Sequence, residues 1–366
     1  ILTCDNGIAA IPQIQYAKEH GLTVIVTDHH DIPFTEENGE KKLLTSCADA
    51  IVDPKQPDCE YPFDKICGAV VAYKVMQILY EKLGLDKTDF KEYTELAAIA
   101  TVGDVVDLKD ENRVIVRQGL AWIATTKNTG LRALIEACEL DAAHLSAYHI
   151  GFIIGPCLNA SGRLDTAQRA IELLLCTEPG KAHEMAQELR ELNEERKNMT
   201  DTEAKKAIEM VEGTDLYEDN VLVVYLPECH ESVAGIIAGR LREHFYKPSI
   251  VITDAADGAK GSGRSIEGYN MFEEITKCKE LLTKFGGHPM AAGLSLPTEN
   301  IDLFRAKLNR QQTLTEKELT PVTWIDVPMP VSYASKKLVE QLRVLEPFGK
   351  GNEKPVFADR KLTVRS

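Results

Sequence analysis

Leu22 to Val26 is a short apolar run rich in β-branched residues, and it stops at the polar string Thr27-Asp28-His29-His30-Asp31. A run of that length and make-up predicts a buried strand. Ile1 to Cys4 is a second strand-like run, ending in Asp5-Asn6-Gly7, and Ala48 to Val52 is a third, ended by Asp53-Pro54. Ile11 to His20 reads as a helix with Gly21 as its stop. From Ile1 to about Pro54 the order is therefore strand, helix, strand, loop, strand. Such alternation predicts a parallel sheet with crossover helices.

Further on, Gln56 to Lys65 is a polar loop, and Gly68 to Leu83 is a helix closed by Gly84, with Val71, Val75, Ile78 and Leu79 on one face. Glu92 to Ala100 predicts another helix, entering Thr101-Val102-Gly103-Asp104, and Val114 to Thr125 and Gly130 to Ala137 read as helical. Pro179 to Val211 is a long, charged helical run, with Ala182, Met185, Ala186, Leu189, Leu192 and Met199 along one face. A helix of that length and charge suits a bridge between domains. Beyond it, Val221 to Leu226 and Ser249 to Thr253 predict strands flanking a helix over Val233 to Glu243. Phe272 to Leu282 and Asp302 to Asn309 read as helices, Gly293 to Leu296 as a strand, and Ser335 to Arg343 as the helix of a last segment.

Length and charge narrow the picture. At 366 residues the chain should form two or more domains. A net charge of -15 argues against a broadly basic nucleic-acid-coating surface, though not against a local basic groove. The nine cysteines are scattered without a C-x-x-C pair, which fits a reduced, cytoplasmic protein with no disulfide framework. No apolar run approaches membrane-spanning length, and no signal peptide is visible. Because the chain opens inside a strand without Met and stops at Ser366 just after another, residues are expected on both sides.

Four groups of residues could carry chemistry. The first is Asp5, Asp28, His29, His30 and Asp104. In an open α/β sheet, ligands bind beyond the carboxyl ends of the strands. Acids and imidazoles at two strand ends favour a metal site over helix caps, and such a set suits Mn, Fe or Co better than Ca. Two such ions can activate water and clamp a phosphoryl group. Asp104 qualifies through its place after a helix end and a Gly, whereas Asp107 and Asp110 read as surface acids. The second group is Asn159-Ala160-Ser161-Gly162-Arg163, either a phosphate-approaching loop or a tight turn with a surface Arg, and spacing alone does not choose between them.

The third pairs Gly261-Ser262-Gly263-Arg264-Ser265 with the string from Phe285 to Gly293, which contains Gly287 and His288. Glycine and serine leave room for backbone N–H groups to cradle an anion, with Arg264 and His288 beside them. The fourth is His230, ahead of a helix with Gly235, Gly239 and Arg240. Gly239 reads as a packing residue, and the role of His230 stays open.

Several strings resemble one family. T-C-D-N-G-I, V-T-D-H-H-D, A-T-V-G-D-V-V-D-L, P-C-L-N-A-S-G-R-L, G-S-G-R-S, F-G-G-H-P-M-A-A-G and L-E-P-F-G-K-G-N resemble the DHH phosphoesterases, and specifically the RecJ-type single-strand DNA exonucleases, over nearly the whole chain. The resemblance implies an α/β protein: a parallel-sheet DHH domain (1–178), a connecting helix (179–212), a smaller DHHA1 domain (213–315) and the start of an OB-type domain (316–366). It implies a metal-dependent exodeoxyribonuclease degrading single strands 5′ to 3′ in DNA repair and recombination, using two Mn²⁺ or Mg²⁺ ions. Asp5, His29 and Asp104 would be ligands, with Asp5 bridging, and Asp28 and His30 in or beside the site. Arg163, Arg264, Ser265, Gly287 and His288 would face DNA phosphates. Single-stranded DNA is the implied partner of a monomer, with a single-strand-binding protein and a helicase nearby.

The family's first Asp-rich string has no counterpart here. Further ligands are therefore expected upstream of Ile1, and the chain as it stands is expected to hold at most one divalent ion, weakly, with little nuclease activity. Other DHH enzymes act on short oligoribonucleotides, cyclic dinucleotides or pyrophosphate, and a binding protein that has lost catalysis is the third reading. The retained acids and imidazoles argue against that loss.

Overall fold

The computed structural model describes residues 1–37, 40–86, 90–164 and 166–360. The chain divides into two compact units: Ile1–Leu158 with Arg169–Arg190 and Ile325–Ser366, and Asn159–Gln168 with Glu191–Trp324. Among the described residues no helix is long and apolar enough to cross a membrane.

In the first unit, α1 (Ile11–Glu19) begins with Pro12 in its first turn and ends before Gly21, whose φ of +75° suits glycine. Strand β1 (Ile25–Thr27) pairs in parallel with β4 (Ala50–Val52). On its other side β1 meets the start of the chain through a parallel bridge, Leu2 to Ile25, with the amides of Thr3 and Asp5 donating to the carbonyls of Ile25 and Thr27. The expected strand at Ile1 to Cys4 is thus an extended segment held by single bonds rather than a full ladder. Ile14, Ala17, Val24 and Val26 form the core between helix and sheet.

The expected loop between the second and third strands is instead a hairpin, β2 (Phe34–Glu37) antiparallel to β3 (Glu40–Leu43). Alternation too weak to show a buried face obscured it in the sequence. Next come α2 (Gly68–Leu83), α3 (Thr94–Gly103), α4 (Asp110–Ile123) and α5 (Thr129–Ala137). Helix α2 ends at Gly84 in the left-handed conformation, as its sequence predicts. Its predicted apolar face holds only in part. Val71 is buried in a core with Val70, Ala97, Ala98 and Val116, while Ile78 and Leu79 are exposed.

The string from Ile150 to Arg163 is neither loop nor tight turn. It is helical, with a π-helical stretch over Ile150–Ile154 leading into Gly155–Leu164. After a helix at Gln168–Leu175, a 34-residue helix runs over Pro179–Glu212, and the division between the two units falls within it.

The second unit is built on a five-stranded sheet of order β5-β6-β7-β9-β8: β5 (Leu222–Tyr225), β6 (Ser249–Ala255), β7 (Gly258–Arg264), β8 (Lys284–His288) and β9 (Ala291–Leu296). Strands β5 and β6 are parallel, and the other pairings are antiparallel. Both faces are covered, which explains the continuous apolar run of β5. Leu222 and Val224 pack on the helix Glu231–Phe245, and Val221 and Val223 face Met271, Phe304 and Leu308. The glycine-rich strings expected to cradle an anion are strands β7, β8 and β9. Most of their amides lie in ladders, and Gly261 and Gly263 are flat spots against Leu294, Ile252, Ile250 and Met271. The helix expected over Phe272 to Leu282 stops at Thr276 and continues as a short 3-10 turn at Lys279–Leu281.

Helix α4 packs against α3 through Gly119, where an added Cβ would lie 2.2 Å from the Ala98 Cβ and 2.8 Å from the Thr94 carbonyl oxygen. Gly119→Ala is therefore expected to lose about 1–3 kcal/mol of stability by overpacking, against the small gain that alanine brings to an unconstrained helix. A urea unfolding midpoint equal to that of the unaltered protein would contradict this packing.

Candidate metal centre and anion-binding surface

Because the chain's first residues, β1 and β4 run parallel, their carboxyl ends open on one edge. Asp5, Asp28 and Asp53 stand there, each just past a strand end. Asp28 is 1% exposed. Its Oδ2 accepts from the Ile8 amide at 2.9 Å. Its Oδ1 accepts from the His29 amide at 2.8 Å and the His30 amide at 3.3 Å, and lies 2.7 Å from His30 Nδ1. Burial alone would raise the Asp28 pKa, but the Ile8 amide, the His30 ring and the next two amides outweigh it and hold the carboxyl below its usual range. Both oxygens of Asp28, expected in or beside the metal site, thus take part in shaping the turn.

That turn aims His29 at two acids. Its Nε2 lies 3.0 Å from Asp5 Oδ1 and 3.6 Å from Asp104 Oδ2. The nitrogen is buried and makes no hydrogen bond to any described residue. Ligand atoms of Asp5, His29 and His30 lie within 4.8 Å of one another. A buried ring nitrogen between two carboxylate oxygens, near hydrogen-bond distance but without hydrogen-bond alignment, is the arrangement a cation completes. Oxygen and imidazole donors suit Mn²⁺ or Mg²⁺, so these residues fit such an ion. Asp104 caps the C-terminal end of α3, where burial raises its pKa against the opposing pull of His29, with a smaller rise from Asp5. The Asp28 carboxylate raises the pKa of His30 against the opposing effect of burial.

Two contributors escaped the sequence reading. Asp53 is 2% exposed, its Oδ1 accepts from the Lys55 amide, and its Oδ2 has no partner among the described residues. Burial pushes this carboxyl up. Its signal was the same as that of Asp5, an acid directly after a strand. Gly68, the first residue of α2, lies so close to Asp5 that an added Cβ would fall 2.4 Å from Asp5 Oδ1 and 2.5 Å from its Cα. Nothing in a lone glycine at a helix start announces that contact. Asp5 itself has a φ of +63°, a strained value for a residue with a side chain.

In the second unit, Arg264 is half-buried and makes no ion pair with any described residue; its Nη1 donates to the Gly263 carbonyl at 2.8 Å. Burial lowers its pKa, and the guanidinium groups of Arg242 and Arg163 lower it further. The close approach is made possible by Gly235, whose added Cβ would lie 2.8 Å from Arg264 Nη2. Arg163 is exposed and donates to the Ser232 carbonyl at 2.8 Å. His230 caps its helix by accepting from the Ser232 amide. A cavity of 790 Å³ is lined by Arg163, His230, Lys260, Ser262, Lys284 and Phe285, among others. Gly287 and His288 are exposed on the edge strand β8, and His288 Nδ1 accepts from the Met290 amide. Ser265 is fully buried and donates to the Tyr269 carbonyl, so it does not face an anion as expected.

Sheet, strand-end acids and an imidazole nitrogen without a hydrogen bond define a DHH-type centre, and comparison with known proteins agrees. The profile of the DHH family, N-terminal domain, matches residues 1–101, the DHHA1 domain residues 218–313 and the RecJ OB domain residues 325–366. The chain is 40% identical over 359 residues to the single-stranded-DNA-specific exonuclease RecJ of Bacillus subtilis (strain 168), covering 97% of this chain and 44% of that protein. A crystal structure of RecJ in complex with Mn²⁺ from Thermus thermophilus superposes with a TM-score of 0.82 at 30% identity, covering 98% of this chain and 51% of that one. A second, of exonuclease RecJ bound to manganese, gives a TM-score of 0.69 at 32% identity, covering 84% of this chain and 74% of that one. The chain belongs to the RecJ family of DHH proteins. It combines a parallel-sheet DHH domain, a long helix, a DHHA1 domain and RecJ OB-type sequence. It spans about half the length of the first of these relatives and of the Thermus structure.

Asp28→Ala should cost about 3 kcal/mol, because it strands buried amides that now donate to a charged acceptor. The sign with pH follows from the two shifts. The lowered Asp28 contributes above about pH 4 and loses that contribution as pH falls through its folded value. The raised His30 contributes below about pH 6.5 and loses it as pH rises through its folded value. The difference in unfolding free energy between the unaltered chain and Asp28→Ala should therefore be greatest between these limits. A difference that grows as the solution is acidified below about pH 3 would refute the assignment.

Proposed function

We propose that this chain hydrolyses single-stranded DNA from its 5′ end, as a metal-dependent exonuclease serving DNA repair and recombination. The observation that carries the reading is the buried Nε2 of His29, set between Asp5 and Asp104 without a hydrogen bond. The names of the relatives support the substrate. In this reading Asp5, His29, His30 and Asp104 hold Mn²⁺ or Mg²⁺, two ions when the ligand set is full. When bound, such ions polarise the phosphodiester and lower the pKa of the attacking water. The chain's own part is to fix the ligands: Asp28 locks the turn that carries both imidazoles, and Gly68 lets the backbone close on Asp5. Arg163, Arg264, Gly287 and His288 lie along the surface proposed for backbone phosphates, which positions a strand without reading its sequence. The half-buried Arg264, without an ion pair among the described residues, supports that role. In this reading the domains are 1–178, 179–212, 213–315 and 316–366, and the protein is a monomer acting in the cytoplasm beside a single-strand-binding protein and a helicase.

The test compares a 5′-phosphorylated single strand, the matching duplex, and dinucleotides, each with Mn²⁺. With the ligand set full, Mn²⁺-dependent shortening of the single strand alone is expected. Turnover confined to dinucleotides would instead favour a small-substrate phosphodiesterase. Since removing a metal's outer-shell partner costs about 10–100-fold, His29→Ala should lose at least about 100-fold. In nitrocellulose binding without metal, Arg264→Ala should flatten the slope of log affinity against log salt by about 0.7, the value for one phosphate contact on a single strand. An unchanged slope would make Arg264 a structural residue.

A further inference from the structure

The residues on either side of Asp104 line a cavity that the assigned residues do not use. These two, Gly103 and Val105, line a space of 510 Å³, within the range of about 300–1,000 Å³ typical of small-molecule sites. The lining is mostly apolar, and Tyr148 and Phe152 stand on one side of it. Those two rings stack on each other, centroids 4.9 Å apart and planes 26° from parallel, and are 62% and 66% exposed. Isolated exposed aromatics are ordinary, but a stacked pair beside an apolar slot has already lost rotamer freedom and holds a flat face ready.

The walls are held from both sides. Gly151 brings the aromatic-bearing helix close to α3: an added Cβ would lie 3.3 Å from Val102 Cγ1. Opposite, the Leu108 amide donates to the Lys350 carbonyl at 2.7 Å, and Gly349 lies where an added Cβ would be 2.6 Å from Leu108 Cδ1. At the mouth, Val105 takes a φ of +56°, strained for a β-branched residue, and is 60% exposed. Strain of this kind persists where the surrounding structure imposes it, commonly at functional sites. Lys350, Glu353 and Lys354 also line the slot, and Lys350 Nζ lies 3.7 Å from Asp107 Oδ1.

We propose that this slot seats the base of the nucleotide whose phosphate is attacked, stacked on the Tyr148–Phe152 pair. The inference rests on the nuclease reading above and deepens it. The occupant must join a flat apolar body to a phosphate, because the slot is lined by Gly103 and Val105, the chain neighbours of Asp104 in the candidate metal centre. A nucleotide meets both demands. Every base offers a π-face, so the contact would not select sequence.

Two measurements on the full chain separate this inference from the reading beneath it. The first uses a strand carrying 2-aminopurine as its 5′-terminal base, in EDTA so that no cleavage occurs. Binding should quench its fluorescence, and Tyr148→Ala with Phe152→Ala should abolish the quenching, while Tyr148→Phe keeps it. No quenching with the unaltered chain, at concentrations where the strand is bound by filter assay, would overturn the proposal. The second measures Mn²⁺-dependent degradation of strands with a normal or an abasic 5′-terminal residue. Loss of one stacked base should lower kcat/KM by about tenfold for the unaltered chain. The Phe152→Ala variant should lose a similar factor on normal strands and nothing further on abasic ones. Equal rates on both strands with the unaltered chain, which needs no variant to fold, would also overturn it. Failure to cleave any strand would count against the nuclease reading, while the quenching still decides the slot.

Discussion

The buried carboxylate of Asp28 is the constraint on which the rest of the first unit's site depends. One side chain accepts from the Ile8, His29 and His30 amides and pairs with the His30 ring. A charge this deeply buried survives only with its lone pairs engaged, and here they are engaged by the residues that must be positioned. The bond to Ile8 ties the segment after Asp5 to the turn after β1. The bonds to His29 and His30 set how the two imidazoles leave that turn. Each is a charge-assisted bond to a buried carboxylate, so the turn is fixed by the chain itself.

Around that fixed turn the fold concentrates features that cost stability. Asp5 and Val105 sit at positive φ, the Asp104 carboxyl is held up by burial, and Asp53 keeps a buried oxygen without a partner among the described residues. A divalent cation would relieve the carboxylate repulsion and give the His29 nitrogen a partner. The costs are offset by the helices behind the site, where Val70, Val71, Ala97, Ala98 and Val116 form a close-packed core and Gly119 lets α4 approach α3. Local strain and secure packing are thus adjacent, as expected where a site is preorganised.

The second unit uses glycine differently. Gly261 and Gly263 serve sheet packing, with apolar side chains filling the space their own side chains would take. Gly235 instead opens a place for Arg264, whose charge is brought near two other guanidinium groups with no acid paired to it among the described residues. Uncompensated positive charge in a half-buried position has a natural complement in phosphate. The sheet's other glycine-rich strings supply shape rather than anion-binding amides.

The sequence by itself determined the element types and the broad division of the chain. β-branched runs marked β1, β4, β5 and β6, and the glycines after α1 and α2 ended those helices where periodicity failed. It also marked Asp5, His29, His30 and Asp104, because acids and imidazoles just past strand or helix ends are local signals. The weakly alternating hairpin at Phe34–Glu37 and Glu40–Leu43, and the glycine-rich strands of the second sheet, gave no such signal: in each, pairing with a partner strand decides the conformation. Only the tertiary structure showed that Asp28 is a brace and Ser265 a buried donor, since each role is set by which groups surround it. The same holds for Asp53, Gly68 and the Tyr148–Phe152 pair. Their places depend on approaches between segments distant in the chain, which local patterns of apolar and polar residues do not encode.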